Sequence, residues 1–168
     1  NANMISKIYF PRLIIPAGAV MVSCVDFLIS LVILAALMAW YGFLPDWRIL
    51  TLPLFIVIAL AAALGAGLWT AALNVRYRDV RFVIPFVVQM GLYVSPVGFS
   101  STVIPEQWRL VYSLNPMVGV IDGFRWAILG GGTSIYWPGL LLSATLIAVI
   151  VATGVGYFRR TEKTFADL

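Results

Sequence analysis

A chain of 168 residues that is 62% hydrophobic and only 11% charged, with a mean hydropathy of +0.99, excludes an ordinary soluble domain, which carries about 25% charged residues. The formal net charge is +4 and histidine is absent, so imidazole acid–base catalysis and histidine-ligated metal chemistry are excluded. Apolar residues come in continuous runs without period-2 alternation, which predicts membrane helices and not a β-barrel.

The chain opens at Asn1 without an initiator methionine and without a basic leader and cleavage site, so it reads as a fragment or a processed piece, with no signal peptide seen in it. Residues 1–16 form a lead-in with Lys7 and Arg12, in which Pro11 and Pro16 allow only a short helix. Two readings fit it: a frayed approach to the first span, or a short helix with Ile5, Ile8 and Tyr9 on one face that touches a partner.

The first predicted span, 17–41, holds Asp26, the one acid well inside an apolar run. A charge at such depth costs at least ~2.5 kcal/mol, so it should face protein or water. A bond within the bundle, a place near the membrane surface and a transport role all remain open for it. Cys24, the single cysteine, cannot form an intrachain disulfide and reads as a buried structural thiol. Trp40, Tyr41 and Trp47 bracket the next loop, as aromatic residues do at headgroup level.

The second span, 50–74, repeats small residues at intervals of four: Ala63, Gly67 and Ala71, and Ala61 with Gly65. That spacing lets helices approach closely, within one subunit or between two. A basic turn with Arg76, Arg78, Asp79 and Arg81 follows, then a third span, 82–103, interrupted by Pro85 and Pro96.

Residues 105–132 are apolar yet broken at Pro105, Asn115-Pro116 and Gly130-Gly131-Gly132. The two segments between the breaks, Glu106–Leu114 and Met117–Leu129, fall short of the ~20 residues a crossing needs. One carries Glu106 and Arg109, the other Asp122 and Arg125. Two readings fit: a helical hairpin that dips into one face of the membrane, sheltered by protein or water, or an amphipathic loop lying on the surface. The last span, 135–158, has no charge and precedes a tail with Arg159, Arg160 and Lys163.

Basic-residue asymmetry orients the four predicted spans. Lys7, Arg12, Arg76, Arg78, Arg81, Arg159, Arg160 and Lys163 fall on one side, and Arg48, Arg109 and Arg125 on the other. Both ends of the chain are therefore expected in the cytoplasm, with the hairpin outside. No phosphate-binding glycine loop ending in Lys-Ser or Lys-Thr occurs, and no pair of buried acids. The chain reads as non-catalytic, with no cofactor of its own and no nucleic-acid partner.

Several stretches, in order, resemble one family. They are Asn3-Met4-Ile5-Ser6-Lys7 with Phe10-Pro11-Arg12, Asn74-Val75-Arg76-Tyr77-Arg78-Asp79-Val80, Ser95-Pro96-Val97, Leu114-Asn115-Pro116, and Phe124-Arg125 before the last span. Together they resemble the permease subunit of type-2 ABC exporters, in the branch that exports polysaccharides such as O-antigen, capsule and teichoic acid. The resemblance implies an all-α integral membrane fold with six spans in a full subunit, of which 1–168 would supply the last four plus the external re-entrant hairpin. It implies a homodimer in the inner membrane of a bacterium, a glycolipid substrate, and a cytoplasmic ABC ATPase subunit that holds ATP and Mg. Coupling to that ATPase falls on the lead-in, with Asn3, Ile5, Lys7 and Tyr9. The external gate falls on Trp108, Tyr112, Asn115, Pro116, Asp122, Arg125 and Trp126, with Tyr93 and Phe99 beside the pathway. A permease for a small molecule or drug in the same family, or a membrane scaffold without transport, are the alternatives.

Overall fold

A computed structural model describes residues 14–130 and 135–165. Asn3, Ile5, Lys7, Tyr9, Arg12, Gly131, Gly132 and Asp167 lie outside the described residues. Among the described residues every regular element is helical: α1 (Ile14–Trp40), α2 (Leu52–Arg76), α3 (Val80–Val94), α4 (Glu106–Tyr112), α5 (Pro116–Leu129) and α6 (Trp137–Phe165), with short 3-10 turns at Trp47–Thr51 and Ser101–Val103.

Local chemistry sets most of the boundaries. Gly42, at φ 69°, lets the chain leave α1 in a conformation a side chain would resist. The carboxylate of Asp46 accepts from the N–H of Arg48 and caps the first 3-10 turn. Pro53 stands in the first turn of α2, where its missing N–H costs nothing. Asn115 caps α5 by accepting from Met117 N at 3.1 Å, with Pro116 as the first helical residue. Gly130, at φ 73°, ends that helix.

Three stretches are long and apolar enough to cross a membrane: Gly18–Trp40, Trp47–Arg76 and Trp137–Thr161. The third predicted span, 82–103, differs from expectation. It is helical only over Val80–Val94, 15 residues, or about 22 Å at 1.5 Å per residue. That is short of the ~30 Å hydrocarbon core. Pro96 is the cause: it pushes Ser95 out of the helical region, to φ −74° and ψ 151°. Pro85 stands inside α3 without ending it. The other boundary differences are small. α2 runs two residues past Asn74 to Arg76, and α6 carries Arg159 and Arg160 within the helix, where a hydrophilic tail was expected.

The body is built on α2 and α6, which run side by side in the same direction. Gly65 faces Ile150 and Val151, where a Cβ would lie 3.0 Å from either side chain. Gly154 comes against Trp69 and the carbonyl of Gly65. Trp69 Nε1 donates to the Ile150 carbonyl at 3.2 Å and to Thr153 Oγ1 at 3.1 Å, and its ring stacks on Tyr157 at 4.9 Å. Leu68, Ala72 and Phe158 close the core below them. Of the two predicted small-residue stripes, Gly65 is the one buried by α6, while Gly67 has open space beside it. α1 is peripheral: no residue in its most apolar window is buried.

The second hairpin helix, α5, lies in the middle of this body. Val118, Gly119, Val120, Gly123 and Ala127 are buried. Val120 joins Ala62 and Ile147 in a shared core. Phe124 meets Phe27 of α1 at 5.6 Å and Phe55 of α2 at 6.3 Å. By contrast α4 has no buried residue.

Candidate functional site

The chain between α3 and α4 bonds to itself mainly around the Ser101–Val103 turn, and the hairpin bonds its first half. Arg125, on α5, donates from Nη1 to the Phe99 carbonyl at 2.6 Å and from Nη2 to the Val97 carbonyl at 2.9 Å. The planar fork of a guanidinium suits two carbonyls at this spacing. Tyr112, at the end of α4, donates its hydroxyl to the Val94 carbonyl. Asn115 Nδ2 donates to Ser95 Oγ at 2.8 Å. Four carbonyl or hydroxyl acceptors between Val94 and Phe99 are thus held by three side chains of the hairpin.

A second cluster lies one helical turn along. Ser101 Oγ donates to Asp122 Oδ2 at 2.8 Å and accepts from Arg109 Nη2 at 3.4 Å. The serine therefore joins a cation on α4 to an anion on α5. Arg109 also lies over the Tyr136 ring at 5.0 Å. Burial pushes the Asp122 carboxyl above its ordinary value; the Ser101 hydrogen bond, Arg109 and Arg125 pull the other way. Burial raises the Tyr112 phenol too, and the Asp122 charge adds to it.

On its opposite side the hairpin is fixed to α6. Ser143 is 1% exposed. Its Oγ accepts from Gly119 N at 3.2 Å and donates to the Ser113 carbonyl at 3.4 Å. A Cβ on Gly119 would lie 2.7 Å from Ser143, and one on Gly139 would lie 2.4 Å from Ser113 Oγ. The small cavity beside these contacts is lined by Arg109, Asp122, Gly119 and Tyr136 among others.

Tyr112, Asn115, Asp122 and Arg125 therefore come together around the 94–101 connection. Pro116 serves as the first residue of α5. Trp126 belongs to a different cluster, edge-on to Trp47 at 6.1 Å, with the Arg48 guanidinium 5.2 Å from its ring. Trp108 is 57% exposed and Tyr93 69% exposed, so neither joins the cluster, while Phe99 is half-buried beside Arg125. At the far end, Arg76, Arg78, Asp79 and Arg81 are all exposed. Asp26 is exposed on α1, and among the described residues no side chain bonds its carboxylate; its carbonyl accepts from Ser30.

Sequence reading missed the buried serines Ser95, Ser101, Ser113 and Ser143. A serine in an apolar run gives little signal, because it also bonds its own helix. Trp47, expected at headgroup level, and Arg48, counted only for orientation, instead hold α5 from outside through Trp126. Among the described residues no group of His, Cys, Asp or Glu could hold a metal ion.

Long apolar helices joined to a hairpin that is strapped by polar side chains define an integral membrane protein with an interrupted helical segment at one end. The ABC-2 type transporter family matches residues 2–129, and the chain belongs to that family. It is similar to the O-antigen export system permease protein RfbA of Klebsiella pneumoniae, 25% identical over 172 residues, covering 100% of this chain and 64% of the relative. The protein of the same name from Myxococcus xanthus is 28% identical over 125 residues, covering 73% of this chain and 48% of the relative. The inner membrane transport permease YadH of Escherichia coli K12 is 32% identical over 85 residues, 51% of this chain and 32% of the relative. The chain thus spans about 64% of the length of the Klebsiella relative.

Proposed function

We propose that the chain is the larger part of a non-catalytic permease subunit that passes a lipid-linked polysaccharide outward across the bacterial inner membrane. The polysaccharide class is supported by the relatives from Klebsiella and Myxococcus, which are O-antigen export permeases by name. A separate cytoplasmic ATPase would hold ATP and Mg and drive the motion through the lead-in at 1–16. Two permease copies would form the path. On this reading both chain ends are cytoplasmic, the hairpin faces outward, and α3 with the extended segment after Ser95 makes the fourth crossing.

The observation that carries a gating role is the polar strapping of the 94–101 connection by Tyr112, Asn115 and Arg125. Motion of α3 is thereby passed to the hairpin through side chains that can release. Because α5 is buried in the body, the part free to move is α4 with its exposed Trp108. A cysteine pair joining α4 to the 97–101 segment, in the full-length permease expressed with its ATPase, tests this. Oxidation should stop surface polysaccharide export and reduction should restore it. Export that continues with the pair fully oxidised would count against a gate here.

A second reading is kept by YadH, whose name specifies transport without a polysaccharide: a permease of the same family with a small-molecule substrate. Loss of the gene without change in surface polysaccharide would favour it.

A further inference from the structure

The end of the body where α2 closes and α3 opens carries Arg76, Arg78, Arg81, Arg159, Arg160 and Lys163, and all six are exposed. They converge because α2 and α6 are parallel neighbours. Leu68 and Ala72, near the end of α2, pack on Phe158 of α6, and Arg159 and Arg160 follow that phenylalanine directly. A tight turn, closed by Val80 N donating to the Tyr77 carbonyl at 3.2 Å, carries Arg78 and brings Arg81 to the start of α3.

Among the described residues no ion pair neutralises these cations. Among the described residues the ion pair present is Arg48 with Asp46, at 3.7 Å, and it belongs to the opposite end. Two of the guanidiniums lie over rings instead, Arg76 over Tyr77 at 5.7 Å and Arg81 over Phe82 at 4.8 Å. That holds them at the border between apolar and polar surface. Directly beyond Arg81 lie Phe82, Val83, Phe86 and Val87 of α3, each more than half exposed.

We propose that this end is a binding surface for the phosphate headgroups of anionic phospholipids in the leaflet it faces. A lipid whose acyl chains lie along the apolar face of α3 has its phosphate at the level of Arg81, with Arg78 in the turn just before it. A cluster of cations immediately outside a membrane helix attracts anionic lipid. An acidic protein partner would match the charge but leave the adjoining apolar face of α3 unused, so lipid is the occupant favoured.

The test uses the full-length permease reconstituted in phosphatidylcholine vesicles with trace spin-labelled phosphatidylglycerol or spin-labelled phosphatidylcholine. The fraction of each label held at the protein surface is read from the spectrum. Wild type should prefer the anionic label by about fivefold or more, the order expected for a single added cation, and the preference should shrink in high salt. The combined variant Arg78→Gln, Arg81→Gln, Arg160→Gln should bring the ratio close to one. The corresponding lysine variants should retain it, since a point charge suffices. If the combined variant fails to fold, Arg78→Gln and Arg160→Gln singly should each lower the ratio. Equal binding of the two labels by wild type would overturn the proposal. So would an unchanged ratio in the glutamine variants, including a case where those variants instead lose a copurifying ATPase.

Discussion

Gly123 faces the ring of Phe55 so closely that a Cβ there would lie 2.3 Å from a ring carbon. The second hairpin helix enters the body at this point, and only a residue without a side chain allows it. Gly123→Ala should destabilise the protein by about 1–3 kcal/mol, the usual cost of overpacking. Gly67→Ala, with nothing within 4 Å, should be neutral or stabilise by ~0.5–1 kcal/mol through helix propensity. Thermal unfolding of the two variants in detergent compares them directly.

Arg125 holds two carbonyls that have no other donor among the described residues. Arg125→Met should cost about 1.5–3 kcal/mol, as for hydrogen bonds to a charged group. Its local signature should be faster amide exchange over residues 97–104, with α6 unchanged. Arg125→Lys should recover only part, because one ammonium cannot reproduce the fork. Equal exchange in wild type and the methionine variant would refute the strap.

Asp122 supplies a pH dependence. Its carboxyl lies above the ordinary value of 3.8 in the folded protein, because it is buried. The folded state then holds the proton more tightly than the unfolded state, so this contribution is fully present below 3.8 and is lost as pH rises through the folded value. Asp122→Asn keeps an acceptor for Ser101 and removes the titration. The difference in melting temperature, wild type minus variant, should fall as pH rises through that window and be flat above it. A difference that rises with pH would mean that attraction to Arg109 and Arg125 outweighs burial.

Ser143 joins α6 to both hairpin helices through Gly119 N and the Ser113 carbonyl. Ser143→Ala leaves buried polar groups with one partner fewer and should cost about 1–3 kcal/mol. Ser143→Cys, close in size, should lose less. Both are read by thermal unfolding, and a neutral alanine variant would show that the Gly119 N–H needs no help from α6.

Much of the fold was legible in the chain alone. Long apolar runs gave α1, α2 and α6, because a helix satisfies its own backbone in lipid. Asn115-Pro116 and Gly130 marked both ends of α5 to within a residue, because capping is a local matter of side-chain acceptors and permitted φ. Even the break at Pro96 was visible, although its consequence, a third helix of 15 residues, was not drawn.

The partners of the polar side chains were another matter. Arg109 and Asp122 share one serine, Ser101, and Arg125 reaches back 26 positions to Phe99 and 28 to Val97. Such pairings depend on how helices stack, which periodicity does not encode. The burial of α5 was decided by two close approaches, Gly119 on Ser143 and Gly123 on Phe55, whereas Gly139 on Ser113 fixes only the end of α4. A glycine in a sequence permits such a contact without naming what fills the space. Sequence by itself determined what must lie in the membrane and where the helices stop, since these follow from each residue and its neighbours. Tertiary structure alone decided which hairpin helix is buried and which is exposed, since that follows from distances between residues far apart in the chain.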